Sequence, residues 1–288
     1  MSTYTSRELR RLSLRIAGEA AGFLRDLRED EGEVLERLPG RDTTKADWEA
    51  EGYIIDLLKQ EGIRGLVVTE ERGVLELGSD DITVVVDPLD GSTNYVLGIP
   101  WCAVSIGFAP KRSQARLSDV VAGTIHSVFL HVPYSFSRGE GVFVGEERVE
   151  RSMVQDNFRR TGRNTIILYL DFVEELQKVE ALLQAMRREH GVMKARCLGS
   201  ASLELAMVAI GRVGYFIDLR PVLRNVDVAV AFGLLRELGG AYSNTCGEPI
   251  DVGLDRVYRI ESVIATSRSE DLGAVRRLLT NTAWRRVG

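Results

Sequence analysis

The feature that most constrains the fold is an apolar, β-branched run that ends abruptly in acidic residues. Residues 82–86 read Ile-Thr-Val-Val-Val, which is typical of a buried strand, and Asp87-Pro-Leu-Asp-Gly-Ser-Thr93 follows without a break. A Pro/Gly turn at a strand end brings Asp87 and Asp90 into one small volume, which is unfavourable unless protons or cations relieve the repulsion. Ser92 and Thr93 are predicted to begin a helical turn whose free N–H groups can hold a phosphate. The alternative is a solvated turn, since Asp, Pro, Gly and Ser all favour turns.

Two further groups of acids end or interrupt apolar segments. Glu70 and Glu71 follow a predicted short strand at residues 66–68, and Asp227 lies within an apolar run. Each group has an ordinary explanation, a solvated loop for Glu70 and a helix cap for Asp227. Three separate groups of acids in an α/β chain nevertheless fit the ligation of a hard cation by oxygen atoms. Mg²⁺ is the cation that suits such a donor set.

The histidines and cysteines argue against other kinds of site. His126, His131 and His190 lack the H-E-x-x-H spacing of a zinc site, and each is expected to be structural. The three cysteines form no C-x-x-C pair, so neither a disulfide framework nor a zinc ribbon is expected. They are predicted to be buried small side chains in a reducing compartment.

Charge and composition exclude several classes of protein. The 288 residues include 42 acidic and 37 basic ones, which gives a net charge of −5 and argues against a protein that mainly binds nucleic acid or anionic membrane. No stretch approaches the roughly 20 apolar residues that a membrane span needs, and the N-terminal segment is charged throughout. We therefore expect a cytoplasmic protein with neither a nucleic acid nor a membrane as its partner.

Hydrophobic periodicity divides the chain into two kinds of segment. Apolar residues at three- and four-residue spacing predict a long amphipathic helix over 6–38 and a second helix over 47–61. Strand-like runs between residues 101 and 149 are predicted to pair antiparallel. The polar stretch 157–164 is the predicted seam between two halves.

The second half alternates strands and helices, which is typical of an α/β unit. The resulting division is an N-terminal α+β half over 1–160 and a C-terminal α/β half over 161–288. The elements predicted in the second half are strands at 165–170, 192–196, 214–218, 241 and 262–266 and helices at 172–190, 200–210, 226–238 and 271–279.

Four short motifs resemble those of one family. The segment from Asp87 to Thr93 resembles the D-P-[IL]-D-G-[ST] signature of the inositol monophosphatase-like, lithium-sensitive, metal-dependent phosphatases. Three supporting motifs occur in the family's order. Residues 43–47 (Thr-Thr-Lys-Ala-Asp) are similar to its T-x-x-D segment, 69–71 (Thr-Glu-Glu) to [GS]-E-E, and 226–229 (Val-Asp-Val-Ala) to W-D-x-A. The run 218–224 (Asp-Leu-Arg-Pro-Val-Leu-Arg) looks most like the archaeal dual fructose-1,6-bisphosphatase/inositol monophosphatase branch.

The resemblance implies two to three Mg²⁺ ions at one site. Glu70, Asp87 and the backbone carbonyl of Leu89 would hold the first ion. Asp87, Asp90 and Asp227 would hold the second, and Glu70 with waters a weaker third. In-line phosphoryl transfer is then assisted by these ions, which activate the water and stabilise the leaving oxygen.

The resemblance also implies roles around the attacking water and the phosphate. Asp47, paired with the hydroxyl of Ser92, would orient the water and help to deprotonate it, together with Glu70. The N–H groups of Gly91 and Ser92 would hold the phosphate. Ser92 replaces the family's usual threonine, and Val226 replaces the tryptophan before the late aspartate.

Substrate contacts are expected at the far end of the same pocket. Arg220 stands seven residues before Asp227, where strict inositol monophosphatases carry a carboxylate for the sugar ring. A cation at this position suggests a second phosphate and therefore favours fructose 1,6-bisphosphate. Residues 199–201 resemble the family's G-[ST]-A segment, whose backbone touches substrate. The candidate substrate contacts are Gly91, Ser92, Gly199, Ser200, Ala201, Arg196, Arg220 and Tyr169.

The expected activity is metal-dependent hydrolysis of fructose 1,6-bisphosphate and inositol 1-phosphate, with a small phosphorylated sugar or polyol as partner. Two alternatives are a 3′(2′),5′-bisphosphate nucleotidase and a regulatory binding protein with vestigial phosphatase activity. The expected fold class is α/β, arranged as an α/β/α/β/α sandwich of the sugar phosphatase type with the metal site in the cleft between the halves. A homodimer is the family's common state.

Overall fold

Two β-sheets form the framework of the chain. The computed structural model describes residues 4–27, 34–38, 41–169 and 173–281. The described helices are α1 (Ser6–Asp26), α2 (Lys45–Gln60), α3 (Ser92–Val96), α4 (Arg151–Arg160), α5 (Val173–His190), α6 (Ala201–Ala209), α7 (Asn225–Leu238) and α8 (Ser269–Asn281). The described strands are β1 (Val34–Leu38), β2 (Arg41–Thr44), β3 (Leu66–Thr69), β4 (Gly73–Glu76), β5 (Thr83–Asp90), β6 (Ala103–Ala109), β7 (Ala122–Ser127), β8 (Pro133–Ser137), β9 (Gly141–Val144), β10 (Glu147–Val149), β11 (Thr165–Leu168), β12 (Lys194–Arg196), β13 (Tyr215–Asp218), β14 (Ala241–Ser243) and β15 (Val263–Thr266).

The larger sheet has the strand order β10-β9-β8-β7-β6-β5-β3-β4. Its neighbours pair antiparallel except for β3 and β5, which run parallel. The antiparallel pairing predicted between residues 101 and 149 is therefore confirmed. The smaller sheet has the order β12-β11-β13-β15-β14, with β11 parallel to β12 and β13. The two sheets lie on either side of the predicted seam along the chain, and the division at residue 160 stays a prediction.

The helices complete five layers. α1 and α2 cover one face of the larger sheet, α6 and α7 lie between the sheets, and α5 and α8 cover the far face of the smaller one. Alternate side chains of a strand point to opposite faces, so Phe216 enters the core around α6 and α7 while Tyr215 and Ile217 enter the core beneath α5 and α8. The predicted α/β/α/β/α sandwich is confirmed.

Helix α7 occupies the centre of the sandwich and is buried along almost its whole length. Gly107 and Gly123 on β6 and β7 allow it to lie directly on the larger sheet: a Cβ atom on Gly123 would lie 2.9 Å from Cγ2 of Val230. Its first turn is thereby held at the edge where β3 and β5 end. Within the described ranges, no helix combines the length and the hydropathy that a crossing of the membrane requires.

The first helix is shorter than predicted. The hydrophobic periodicity predicts a helix over residues 6–38, but α1 ends at Asp26. Residues 34–38 instead form β1, which pairs antiparallel with β2. The reason is that the buried stripe of α1 stops at Leu24. The sequence over 28–33 is Arg-Glu-Asp-Glu-Gly-Glu, which offers no apolar side chain for packing, and helices of this kind depend on such packing.

The tight contact of α7 with the larger sheet predicts that alanine substitution has opposite effects on the free energy of unfolding at two helical glycines. A Cβ atom on Gly233 would lie 2.1 Å from Cζ of Phe136, which is itself 1% exposed. Gly233→Ala should therefore lower the free energy of unfolding by roughly 1–3 kcal/mol. On α1 the nearest atom to a Cβ on Gly18 is 3.7 Å away, so Gly18→Ala should raise it by about 0.5–1 kcal/mol. Urea unfolding of both variants provides the measurement, and equal effects would contradict the packing described for α7.

Candidate metal centre and substrate pocket

Three acidic side chains from three elements converge at one end of the larger sheet. Glu70 directly follows β3, Asp87 lies in β5, and Asp227 lies in the first turn of α7. Because β3 and β5 are parallel neighbours, with Thr69 opposite Val86, the two strands deliver Glu70 and Asp87 side by side. One carboxylate oxygen from each of the three acids lies within 4.8 Å of the others. The structure thus brings together three of the predicted metal ligands.

Burial makes this three-acid group electrostatically unfavourable. Asp87 is 1% exposed and Asp227 is 4% exposed. Burial, followed by the charge of Glu70, raises the pKa of Asp87 well above its ordinary range. Burial also raises the pKa of Glu70 to about 7, even though Arg224 opposes the shift. Protons or cations must therefore neutralise part of this charge.

The chemistry of the donor set fits a hard divalent cation. All three ligand atoms are carboxylate oxygens, the type that Mg²⁺ and Ca²⁺ prefer. In addition, Oδ1 of Asp227 is buried and accepts no hydrogen bond from the described residues. This oxygen lies 3.2 Å from Nη2 of Arg224, an ion-pair contact without hydrogen-bond geometry, so it retains the capacity to ligate a cation.

A bulge at the end of β5 shapes the pocket beside these acids. The register between β5 and β6 shifts between Asp87 and Asp90, so that Pro88 and Leu89 together stand opposite the single residue Val104. The N–H of Leu89 donates to Oδ1 of Asp87 at 3.1 Å and so fixes this carboxylate. Leu89, whose carbonyl is a predicted ligand, lines the pocket.

Asp90 lines the same pocket but lies outside the three-acid group. Its carboxylate accepts hydrogen bonds from the start of α6: from the hydroxyl of Ser200 at 2.6 Å, from the N–H of Ala201 at 3.1 Å and from the N–H of Ser202 at 2.7 Å. Asp90 therefore ties the larger sheet to α6. Ser200 is fully buried by this contact, whereas Ala201 also lines the pocket. Metal ligation by Asp90 stays a prediction.

The pairing of Asp47 with Ser92 stays a prediction, because the hydrogen bonds found for Asp47 join it to Thr44. Oδ2 of Asp47 accepts hydrogen bonds from the N–H and the hydroxyl of Thr44, at 2.7 and 2.6 Å. Thr44 is the residue before α2 and Asp47 is the third residue of that helix, so the two form a capping box. Burial, followed by the nearby charge of Glu70, raises the pKa of Asp47 to about 8.

Two glycines and an asparagine form the part of the pocket next to Ser92. Gly91 and Gly199 have φ angles of 91° and 88°, which favour glycine. A Cβ on Gly91 would lie 2.9 Å from the carbonyl oxygen of Gly199, and a Cβ on Gly199 would lie 2.9 Å from Nδ2 of Asn94. The same Nδ2 donates to the carbonyl oxygens of Trp101 and Leu198 at 2.8 and 2.6 Å. Asn94 thus holds the two loops against each other, a role that the sequence did not indicate.

The far end of the pocket holds a second, separate set of charges. Nε and Nη2 of Arg220 donate to the two carboxylate oxygens of Asp218 at 2.9 and 2.7 Å, and the guanidinium carbon lies 4.0 Å from the centre of the Tyr169 ring. The hydroxyl of Tyr169 donates to Glu204 at 2.5 Å, and burial raises the pKa of Glu204 to about 7. Arg220 and Tyr169 line the pocket as predicted. Arg196 does not, because it lies exposed at the end of the outermost strand β12 and donates to the carbonyl of Ala195.

The pocket as a whole has a volume of about 440 Å³, within the range of small-molecule sites. It joins the three-acid group, the glycine-lined loops and the Arg220 end in one continuous space. Its lining residues are Glu70, Asp87, Leu89, Asp90, Gly91, Ser92, Thr93, Asn94, Tyr169, Cys197, Gly199, Ala201, Arg220, Val222, Leu223, Arg224 and Asp227.

Glu51 is a functional residue that the sequence reasoning missed. It is fully buried on α2, and its carboxylate accepts from the hydroxyl of Thr69 at 2.6 Å and from the N–H groups of Glu71 and Arg72 at 2.9 and 3.2 Å. These bonds hold the turn on which Glu70 stands. The available signal was the spacing, since Glu51 lies four residues after Asp47 on the same helix face.

Arg224 was also missed. It is the residue immediately before α7, and its Nη2 lies 2.6 Å from Oε1 of Glu70 and 3.2 Å from Oδ1 of Asp227. The sequence placed it three residues before Asp227 but gave no indication that its side chain turns back into the acids.

Comparison with known proteins agrees with this fold and site. The model of the inositol monophosphatase family matches residues 6–282. An inositol-1-monophosphatase from Aeropyrum pernix is 43% identical over 263 residues, covering 90% of this chain and 92% of that protein. A fructose-1,6-bisphosphatase/inositol-1-monophosphatase from Methanothermobacter thermautotrophicus is 32% identical over 250 residues, covering 84% and 85%.

The solved structures add the same fold. The Thermotoga maritima IMPase superimposes with a TM-score of 0.73 at 20% identity, covering 94% of this chain and 96% of that one. The family match spans nearly the whole chain and includes every acid of the site. The chain belongs to the inositol monophosphatase family.

The hydrogen bonds of Glu51 predict an indirect effect on cation binding. Glu51→Gln removes the charge and places an amide N–H₂ against neighbouring donors, so the Glu70 turn should loosen. We expect the Kd for Mg²⁺ to rise roughly tenfold, equivalent to about 1.4 kcal/mol, when measured by titration calorimetry. Glu49→Gln, on an exposed position of the same helix, is the matched control and should leave the Kd unchanged. The same Kd for both variants would contradict a positioning role for Glu51.

Proposed function

We propose that the chain is a Mg²⁺-dependent phosphomonoesterase that acts on inositol 1-phosphate and fructose 1,6-bisphosphate. The observation that carries the proposal is the group of three converging carboxylates, Glu70, Asp87 and Asp227, beside the glycine-lined loops of the same pocket. The names of the two archaeal relatives support both substrates. The same names give no support to the nucleotidase and regulatory alternatives.

We propose that five residues would hold two to three Mg²⁺ ions. These are Glu70, Asp87, Asp227, the carbonyl of Leu89 and Asp90. When bound, such cations lower the pKa of a water molecule and neutralise charge on the phosphoryl and leaving oxygens. At this end of the pocket the acids carry a negative charge that Arg224 offsets in part. Bound Mg²⁺ ions would reverse the local charge and so allow an acidic chain to bind an anionic substrate.

The remaining residues orient the substrate and handle the proton. The left-handed turn at Gly91 supports the proposal that the backbone N–H groups of Gly91 and Ser92 donate to phosphate oxygens. Asp47 is a stronger base than an exposed aspartate because its pKa is raised to about 8. We propose that Asp47, together with Glu70 and Ser92, orients the attacking water and helps to deprotonate it.

The partner is a small phosphorylated sugar or polyol, and the volume of the pocket accommodates one. A homodimer and a cytoplasmic location belong to the same proposal and rest on the resemblance and the composition alone.

The decisive experiment is phosphate release from three substrates during a Mg²⁺ titration. Inositol 1-phosphate and fructose 1,6-bisphosphate should both be hydrolysed, and activity should vanish with excess chelator. Asp87→Asn should lower kcat at least about 100-fold because it removes a ligand shared by two ions. Asp56→Asn, at an exposed position of α2, should have no effect. A strong preference for adenosine 3′,5′-bisphosphate would overturn the proposed substrates, and chelator-resistant activity would overturn the metal dependence.

The Arg220 end of the pocket predicts a difference between the two substrates. Removing Arg220 alone would take this ion-pair partner from the fully buried Asp218, so the test uses the double variant Asp218→Asn/Arg220→Gln. We expect the KM for fructose 1,6-bisphosphate to rise roughly tenfold through loss of the charge-assisted contact with its second phosphate. The KM for inositol 1-phosphate should change far less. Equal increases for both substrates would show that Arg220 does not recognise the second phosphate.

A further inference from the structure

The guanidinium of Arg224 lies among the acids proposed to bind metal. Nη2 lies 2.6 Å from Oε1 of Glu70 and 3.2 Å from Oδ1 of Asp227, and Nε donates to Oδ2 of Asp227 at 3.3 Å. The side chain is only 19% exposed. Arg224 therefore places a positive charge between two of the three acids.

The charges explain why the guanidinium is held there. Burial lowers the pKa of Arg224, but the charges of Asp227, Glu70 and Asp87 outweigh it, and the net effect is a pKa raised well above its ordinary value. One guanidinium nevertheless supplies a single positive charge to a group of three carboxylates. The site is thus partly, but not fully, compensated by the protein's own cation.

We propose that Arg224 is the resident counter-ion of the metal-free site, and that binding of a divalent cation displaces its guanidinium from Glu70. This inference rests on the proposed metal site. A divalent cation held by Glu70, or one held by Asp227, would need carboxylate oxygens that the guanidinium now contacts and would repel the guanidinium at short range. The two positive groups therefore compete for the same oxygens.

The backbone allows the side chain to leave without disturbing α7. The N–H of Arg224 donates to Oδ2 of Asp227 at 2.8 Å, and this bond does not involve the guanidinium. The next residue is also fixed, because the N–H of Asn225 donates to the carbonyl of Tyr258 at 3.0 Å. Arg224 lines the open pocket, which gives the displaced side chain space on the substrate side.

A purely structural role for Arg224 predicts the opposite sign. If the guanidinium only positioned Glu70 and Asp227, its removal would disorder two ligands and weaken cation binding. If it competes with the cation, its removal should strengthen binding. The direction of the change in Kd therefore separates the two roles.

The test is calorimetric titration of chelator-treated protein with Mg²⁺. Arg224→Met keeps the length of the side chain without its charge, and we expect its Kd to fall roughly tenfold below that of the wild type. Arg224→Lys keeps the charge and is the control, with a Kd close to the wild-type value. The metal-free Met variant should also melt at a lower temperature than the wild type, and Mg²⁺ should raise its Tm by a larger amount. An unchanged or higher Kd in Arg224→Met overturns the proposal.

A second measurement does not depend on a variant that folds. In a crystal structure of the wild-type protein soaked with Mn²⁺, Nη2 of Arg224 should lie beyond ion-pair distance, more than about 4 Å, from Oε1 of Glu70. A guanidinium that remains on Glu70 beside a bound ion overturns the proposal while leaving the metal site intact. Wild-type protein that binds no divalent cation in either experiment overturns the metal site and this inference with it.

Discussion

The repulsion among three buried carboxylates is the constraint on which the rest of the site depends. Glu70, Asp87 and Asp227 present oxygens within 4.8 Å of one another in a region that is nearly closed to water. Such an arrangement costs folding free energy unless positive charge compensates it. Two neighbouring residues stabilise this arrangement. Arg224 supplies positive charge, and the Glu51 carboxylate holds the Glu70 turn in place. The site is thus maintained by the fold rather than by attraction among its own members.

The topology explains how the fold can hold such a cluster. Two parallel neighbours, β3 and β5, end at the same edge, and α7 begins at that edge because it is packed between the sheets. The ligands therefore stand on three rigid elements, and none depends on a long loop. The substrate end of the pocket is built differently, from a salt bridge between Arg220 and Asp218 stacked on Tyr169. This separation allows the substrate end to vary while the acids stay in place.

The order of elements and the acidic cluster could be predicted from the sequence because both are local patterns. Three features each leave a signal within a few residues of sequence. They are the strand before Asp87, the capping threonine before Asp47 and the alternation of strands and helices after residue 165. The extension of α1 was wrong because its sequence period did not reveal where the buried stripe stops, at Leu24. The Asp47–Ser92 pair stays a prediction, since Thr44 is the hydroxyl partner that the described structure gives to one oxygen of the Asp47 carboxylate. The direction in which the Arg224 side chain turns depends on packing that no short motif records.

Hydrogen bonds at the pocket connect the larger sheet and α3 to α6 and the loop before it, so they form only when these layers are in contact. Asp90, on the larger sheet, accepts the N–H groups of Ala201 and Ser202, and Asn94 reaches across to the carbonyl of Leu198. Any opening of the cleft must break these bonds before the layers can separate. The amide hydrogens of Ala201 and Ser202 are therefore protected from solvent exchange only while the cleft is closed. The pocket lining comes from elements on both sides of the cleft, so the pocket is complete only in molecules in which both sheets have folded and docked.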